Sequence, residues 1–214
     1  MRLKYEAQLE GLNQELVNMG SMIEKSIEYA VDALVNQDAE LAAKTMKNDS
    51  RINREQKKIE STCFHLLLQQ QPVAGDLRFI SAAHKMVTDM ERIGDQAADI
   101  CEITLTIAKQ PYMIDLKFLK KMAAETIQML IKSIESYILQ DRKKAEEVIG
   151  NDDVVDELFE REKSELIHQI QINPKCSEQA ADMLMVAKYF ERIGDHAVNI
   201  AEWVLFALDD HKTE

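Results

Sequence analysis

Residues 91–102 read ERIGDQAADICE, and residues 191–202 read ERIGDHAVNIAE, the same pentapeptide opening each stretch 100 positions apart. The match continues upstream in a second register. Gln37-Asp38 corresponds to Gln140-Asp141, and Asn48-Asp49 to Asn151-Asp152, at an offset of 103. A shared pentapeptide with consistent upstream landmarks marks an internal duplication, two copies of one supersecondary unit. The change of offset predicts a link three residues shorter in the second copy, around Pro174.

Both stretches have helical periodicity. Ile80, Ala83, Val87, Met90, Ile93, Ala97 and Ile100 share one face at 100° per residue. Ala180, Met183, Ala187, Phe190, Ile193, Ala197 and Ile200 repeat it. Glu91, Asp95, Asp99 and Glu102 fall near the opposite side, so the helix is expected to be apolar inward and acidic outward. Working outward, Pro72, Pro111 and Pro174 lie between long helical patterns, and Asp38 and Asp141 follow turns at which they can cap the next helix. Six helices are predicted, near 5–36, 38–70, 77–108, 115–140, 142–172 and 177–208. The fold class is therefore all-α, two tandem three-helix bundles, with units at 1–110 and 111–214. Short links favour antiparallel neighbours.

Composition agrees. Among 214 residues there are 6 Gly and 3 Pro, and aromatics make up 6%, against a background rich in strong helix formers. Hydrophobic residues at 46% suffice for a packed core. The net charge of −12 is the opposite of what phosphate neutralisation on nucleic acid or adhesion to an anionic membrane needs. Cys63, Cys101 and Cys176 form no CxxC pair and no disulfide framework. With no apolar run of spanning length and no apolar leader at the N-terminus, a cytoplasmic protein is expected.

The acids carry the functional question. Glu91 and Asp95, four apart, are neighbours on one helix face, where like charges repel by a few tenths of a kcal/mol (about 0.2–0.5). Such pairs call for protons, basic partners or a cation. A hard cation needs several oxygens, so a second helix must contribute. The second helix of each copy supplies them, Asp49 and Asn53 in the first and Asp152 and Asp156 in the second. The candidate metal ligands are therefore Asp49, Asn53, Glu91, Asp95 and Asp99 in one copy and Asp152, Asp156, Glu191, Asp195 and Asn199 in the other. Each set has four carboxylates and one amide. The competing reading is a solvated acidic surface, with Lys188 pairing Glu191 and with Arg92 and Arg192 directed elsewhere on their helices. Gly94 and Gly194 recur inside the helix at a cost of about 1 kcal/mol each, which points to a packing role. Glu165 and His168 make one Glu-x-x-His of the di-iron bundle type, but the equivalent residues Thr62 and His65 do not repeat it. No phosphate-binding glycine loop, GxSxG or HExxH occurs, and the chain reads as a non-enzyme.

Two three-helix repeats, each with ERIGD followed by an acidic or amide residue and a further Glu, resemble the PhoU family over essentially the whole chain. The resemblance implies a cytoplasmic regulator of bacterial phosphate uptake and phosphate homeostasis. Such proteins act as negative regulators with the ATPase of the phosphate ABC transporter and a phosphate-sensing histidine kinase, repressing starvation genes when phosphate suffices. It further implies E/D-x-x-x-D metal sites, carried here by Glu91 with Asp95, Glu191 with Asp195, Asp152 with Asp156, and Asp49 followed by Asn53. Iron, zinc, manganese or magnesium are the metals implied, and a homodimer is among the expected assemblies. Asn53 and Asn199 depart from the acidic pattern. The alternative function is a metal-storage or metal-dependent carboxylate bundle in which the site itself is the activity.

Overall fold

The computed structural model describes residues 2–69 and 74–209, so the turn expected at Pro72 lies outside the described residues. Helices α1 (Arg2–Asn36), α2 (Ala39–Gln69) and α3 (Ala74–Ile107) form the first repeat. The second contains α4 (Lys117–Leu139), α5 (Arg142–Gly150), α6 (Asp152–Ile172), a 3₁₀ turn at Pro174–Cys176 and α7 (Ser177–Leu208). No strand occurs among the described residues.

The duplication extends to backbone detail. At the first turn of each repeat, Gln37 and Gln140 adopt the left-handed conformation (φ 54° and 53°). The next residue's amide bonds back to Ala33 O at 2.9 Å and Ser136 O at 2.9 Å, closing the preceding helix as a C-terminal cap. Asp38 and Asp141 then cap the following helix, accepting from Leu41 N at 2.9 Å and Lys144 N at 3.1 Å.

One expectation about element boundaries is corrected. The single helix expected over 142–172 is interrupted at Asn151, whose N–H is shared between Glu147 O and Val148 O. Gly150 stands where the uninterrupted α2 has Lys47, and glycine's low helix propensity is the local difference that permits the kink. Whether the second link is the shorter by three residues turns on residues 70–73, which lie outside the described residues. Among the described residues α3 is helical from Ala74, three residues before Leu77, the position that matches the start of α7 at Ser177.

The two repeats share one continuous core. α3 and α7, the ERIGD helices, lie antiparallel at its centre. The start of α3 meets the end of α7 through Arg78 Nη1 donating to Asp209 O at 2.6 Å, and Lys85 sits over the Trp203 ring at 5.9 Å. Further along, Asp89 meets His196 at 2.9 Å. α1 crosses α4 at Gly20, where the Ile134 side chain occupies the space a Cβ would need. The inter-repeat link is pinned from both sides, Gln179 donating to Pro111 O at 3.0 Å and accepting from Met113 N at 2.9 Å, while Tyr112 Oη donates to Leu34 O at 2.5 Å. The apolar faces read from periodicity are all buried, with Phe190 the largest fully buried side chain. Truncating a side chain of that kind costs about 3–5 kcal/mol.

Two acidic clusters as the candidate functional site

α3 lies at the centre and is covered on more sides than an outer helix, so Glu91, Asp95 and Asp99 of the acidic stripe are half-buried, and Glu102 is its exposed end. Glu91 and Asp95 are only 17% and 29% exposed, at the α2–α3 junction. The geometry of that junction, found in both repeats, rests on glycine. A Cβ on Gly94 would meet Ile52 Cδ1 at 3.1 Å and Cγ2 at 3.2 Å, and Asp49 Oδ1 at 3.8 Å. On Gly194 it would meet Asp152 Oδ1 and Val155 Cγ1 at 3.5 Å each. Each glycine therefore seats an apolar side chain and the first aspartate of the neighbouring helix against the ERIGD backbone. This is the packing role expected of the glycines, and it is what draws the acids of two helices together.

In the first cluster Asn53 Nδ2 donates to Asp49 Oδ2 at 2.9 Å. Asp49 Oδ1 and Asn53 Oδ1 are buried without a hydrogen-bond partner. Burial, then the Asp95 charge, raise the Asp49 carboxyl above the usual range. Burial and Asp95 do the same for Glu91, with Asp49 and Glu60 adding to it and Arg92 opposing. Arg92 corrects the expectation that it points away, with Nη1 3.1 Å from Asp95 Oδ2 and Nε 3.6 Å from Glu91 Oε2. Its flexible stem lets the guanidinium turn back along its own helix.

In the second cluster burial raises Asp152 to about 6, helped by Asp156, Asp195, Glu191 and Asp153. Asp195 is raised by burial and Glu191, against Lys188 and His196. Lys188 Nζ lies 2.5 Å from Glu191 Oε1, the pairing expected from sequence, and Glu191 Oε2 is buried and unpartnered.

The structure thus gathers Asp49, Asn53, Glu91 and Asp95 in one cluster and Asp152, Asp156, Glu191 and Asp195 in the other. Asp99 sits on the flank. Burial and then the charges of Asp95 and Glu102 raise its carboxyl, with the Arg192 charge opposing. Asn199 is not part of the second cluster. Its Nδ2 donates to Asp89 Oδ1 at 3.1 Å across the α3–α7 contact, because the antiparallel pairing turns that position toward α3. The equal ligand sum expected of the two copies is therefore replaced by unequal sets. Sequence reasoning missed Glu60, seven residues or two helical turns beyond Asn53 on the same face of α2, a spacing that could have found it. It also missed Asp89, whose counterpart is Tyr189 and which left no repeated signal.

Among the described residues, no three His, Cys, Asp or Glu side chains are arranged to hold one ion as they stand. The donors in reach are oxygens, with orphaned acceptors in both clusters. That chemistry fits a hard cation which keeps part of its water shell, as Mg²⁺ does with one or two carboxylates. His and Cys ligation of the kind zinc favours is not on offer within either ligand set.

Known proteins are similar along the whole chain. The family described as PhoU domain matches twice, at residues 16–104 and 119–204. A protein of Clostridium acetobutylicum named phosphate-specific transport system accessory protein PhoU homolog is 37% identical over 95% of this chain and 94% of its own length. A Burkholderia protein of the same name is 33% identical over 95% and 88%. The crystal structure of PhoU from Pseudomonas aeruginosa superposes with a TM-score of 0.89 at 29% identity, covering 95% of this chain and 98% of that one. That of the phosphate transport system regulatory protein PhoU from Streptococcus pneumoniae gives 0.88 at 25%, covering 98% and 99%. With both repeats matched and nearly the full length covered, the chain belongs to the PhoU family.

Proposed function

We propose that this chain is an accessory regulator of phosphate-specific transport. In this reading it acts without catalytic turnover as an adaptor between the phosphate transporter's ATPase and a phosphate-sensing histidine kinase. The observation that carries it is the match of both repeats to phosphate-specific transport accessory proteins over 95% of the chain. The two acidic clusters supply the chemistry of the contact. They are partly buried and carry acceptors without partners, so they gain from basic groups or cations brought by a partner or by solvent. Asp49, Glu91 and Asp95 in one cluster, and Asp152, Asp156, Glu191 and Asp195 in the other, would hold Mg²⁺ or Mn²⁺, with iron as the tighter alternative. The bound charge would relieve carboxylate repulsion and stiffen the α2–α3 and α6–α7 junctions. No helix among the described residues is long and apolar enough to cross a membrane. Transport would therefore be influenced through protein contacts.

The test has two readouts. Elemental analysis of purified protein measures bound metal, and a starvation-gene reporter in phosphate-replete cells measures repression. Each is repeated with Glu91, Asp95, Glu191 and Asp195 changed to Ala. Loss of both metal and repression is expected. Metal-free wild type, with variants that still repress, would overturn the metal part. Redox turnover by the metal-loaded wild type would overturn the adaptor reading in favour of a carboxylate-bundle activity.

A further inference from the structure

The opposite flank of α2 carries the reverse charge. Between α1 and α2 lies a groove of about 370 Å³ whose lining includes Lys25, Tyr29, Lys44, Asn48 and Arg51. No acidic side chain lines it, in a chain with 38 acids against 26 Lys and Arg. Lys25, Lys44 and Arg51 take part in none of the ion pairs among the described residues, and neither the Tyr29 hydroxyl nor the Asn48 amide is in a hydrogen bond. By contrast Lys58, Arg92, Lys144 and Lys188 are each paired with acids. Ser26, also in the lining, spends its proton on Met22 O at 3.0 Å.

The groove is not a by-product of the repeat. At the offset of 103 the positions of Lys25, Lys44 and Arg51 hold Gln128, Glu147 and Val154, so the second copy drops the cations. Three cations brought together without counter-charge repel one another, and an anion relieves that repulsion. A guanidinium fork, two ammonium groups, an amide and a phenol offer donors from both helices, the complement of a tetrahedral oxyanion with several acceptor oxygens. The volume is at the small end of ligand sites, with room for more than one phosphoryl unit.

We infer that the α1–α2 groove of the first repeat is a binding site for an inorganic phosphate oxyanion, single or condensed. The inference rests on the charge arrangement and stands apart from the adaptor and metal readings. Its test uses the full chain in chelator, so that no metal bridges the anion to the acidic clusters. Calorimetric titration with orthophosphate and with tripolyphosphate separates the two sources. Binding of at least one at about 1 mM or tighter is expected, weakening with added salt. The double variant Lys44→Glu/Arg51→Val carries the second copy's residues at exposed positions. It should bind at least about tenfold more weakly, and Lys25→Gln should weaken binding in the same direction. The control Lys143→Glu/Lys175→Gln loses the same charge on the second repeat and should bind as wild type does. Circular dichroism melts establish that each variant is folded. No binding of either anion up to about 10 mM, or equal weakening in the control, would overturn the assignment.

Discussion

Replacing Glu162 with isoleucine, the residue its counterpart Ile59 carries in the first repeat, should stabilise the protein strongly near pH 8 and much less near pH 5. Glu162 is 1% exposed and both carboxylate oxygens lack a hydrogen-bond partner. Burial, with Asp115 and Glu165 nearby, raises its pKa from 4.5 to about 7. Between those values the folded protein holds a proton that the unfolded chain releases. Stability therefore falls as pH rises from about 4.5 to about 7, by about 3 kcal/mol at 1.36 kcal/mol per pH unit, and stays lost above. The isoleucine variant lacks that loss. The stability gap between variant and wild type should then widen by about 2–3 kcal/mol between about pH 5 and pH 8. For a chain of this size that corresponds to roughly 5–10 °C in Tm. Urea unfolding at both pH values measures it, and Glu162→Gln should reproduce the pH dependence without the added apolar burial. A gap of the same size at both pH values, or no gap near pH 8, would refute the reasoning.

Three further outcomes follow from the same geometry. Gly94→Ala should destabilise by about 1–3 kcal/mol, since buried Ile52 must yield to a Cβ at 3.1 Å, whereas Gly194→Ala, with 3.5 Å contacts, should be neutral or gain up to about 1 kcal/mol of helix propensity. Thermal melts compare the pair, and equal effects would contradict the packing account. Mn²⁺ binding at the second cluster should weaken as pH falls through about 6, where Asp152 takes up a proton, and Asp152→Asn should remove that step; calorimetry at a series of pH values reads it. Asn199→Asp should not raise metal content by elemental analysis. It should instead lower stability, by about 1–3 kcal/mol in urea unfolding, because the new carboxylate would face Asp89 where an amide now donates at 3.1 Å.

Periodicity and the repeated ERIGD made the helices, their apolar faces and the capping aspartates Asp38 and Asp141 legible, because those features are local. Hydrophobic periodicity says that a face is covered, not which helix covers it. The α3–α7 pairing was therefore invisible, and with it the fate of Asn199, which points across that pairing. Arg92 was misplaced for a related reason. Its Cα direction follows from the helix, but a long stem lets the charge fold back onto Glu91 and Asp95. Gly150 was readable in hindsight, as a glycine opposite Lys47 at the point where one copy kinks and the other does not. Glu162 could have been singled out by the same alignment of copies, as a carboxylate in the position of a core isoleucine. The acidic pairs were legible at i and i+4; their half-buried setting was not, since it depends on the glycine seats at 94 and 194.

We propose that this PhoU-family chain acts on phosphate transport through contacts made by its acidic clusters. The most direct measurement is retention of the transporter ATPase and the sensor kinase on the immobilised chain from phosphate-replete cells, against the variant with Glu91, Asp95, Glu191 and Asp195 changed to Ala. Wild type is expected to retain at least one of them, and the variant, still folded by circular dichroism, to lose it. Retention unaffected by the four substitutions, or no retention by wild type, would contradict it.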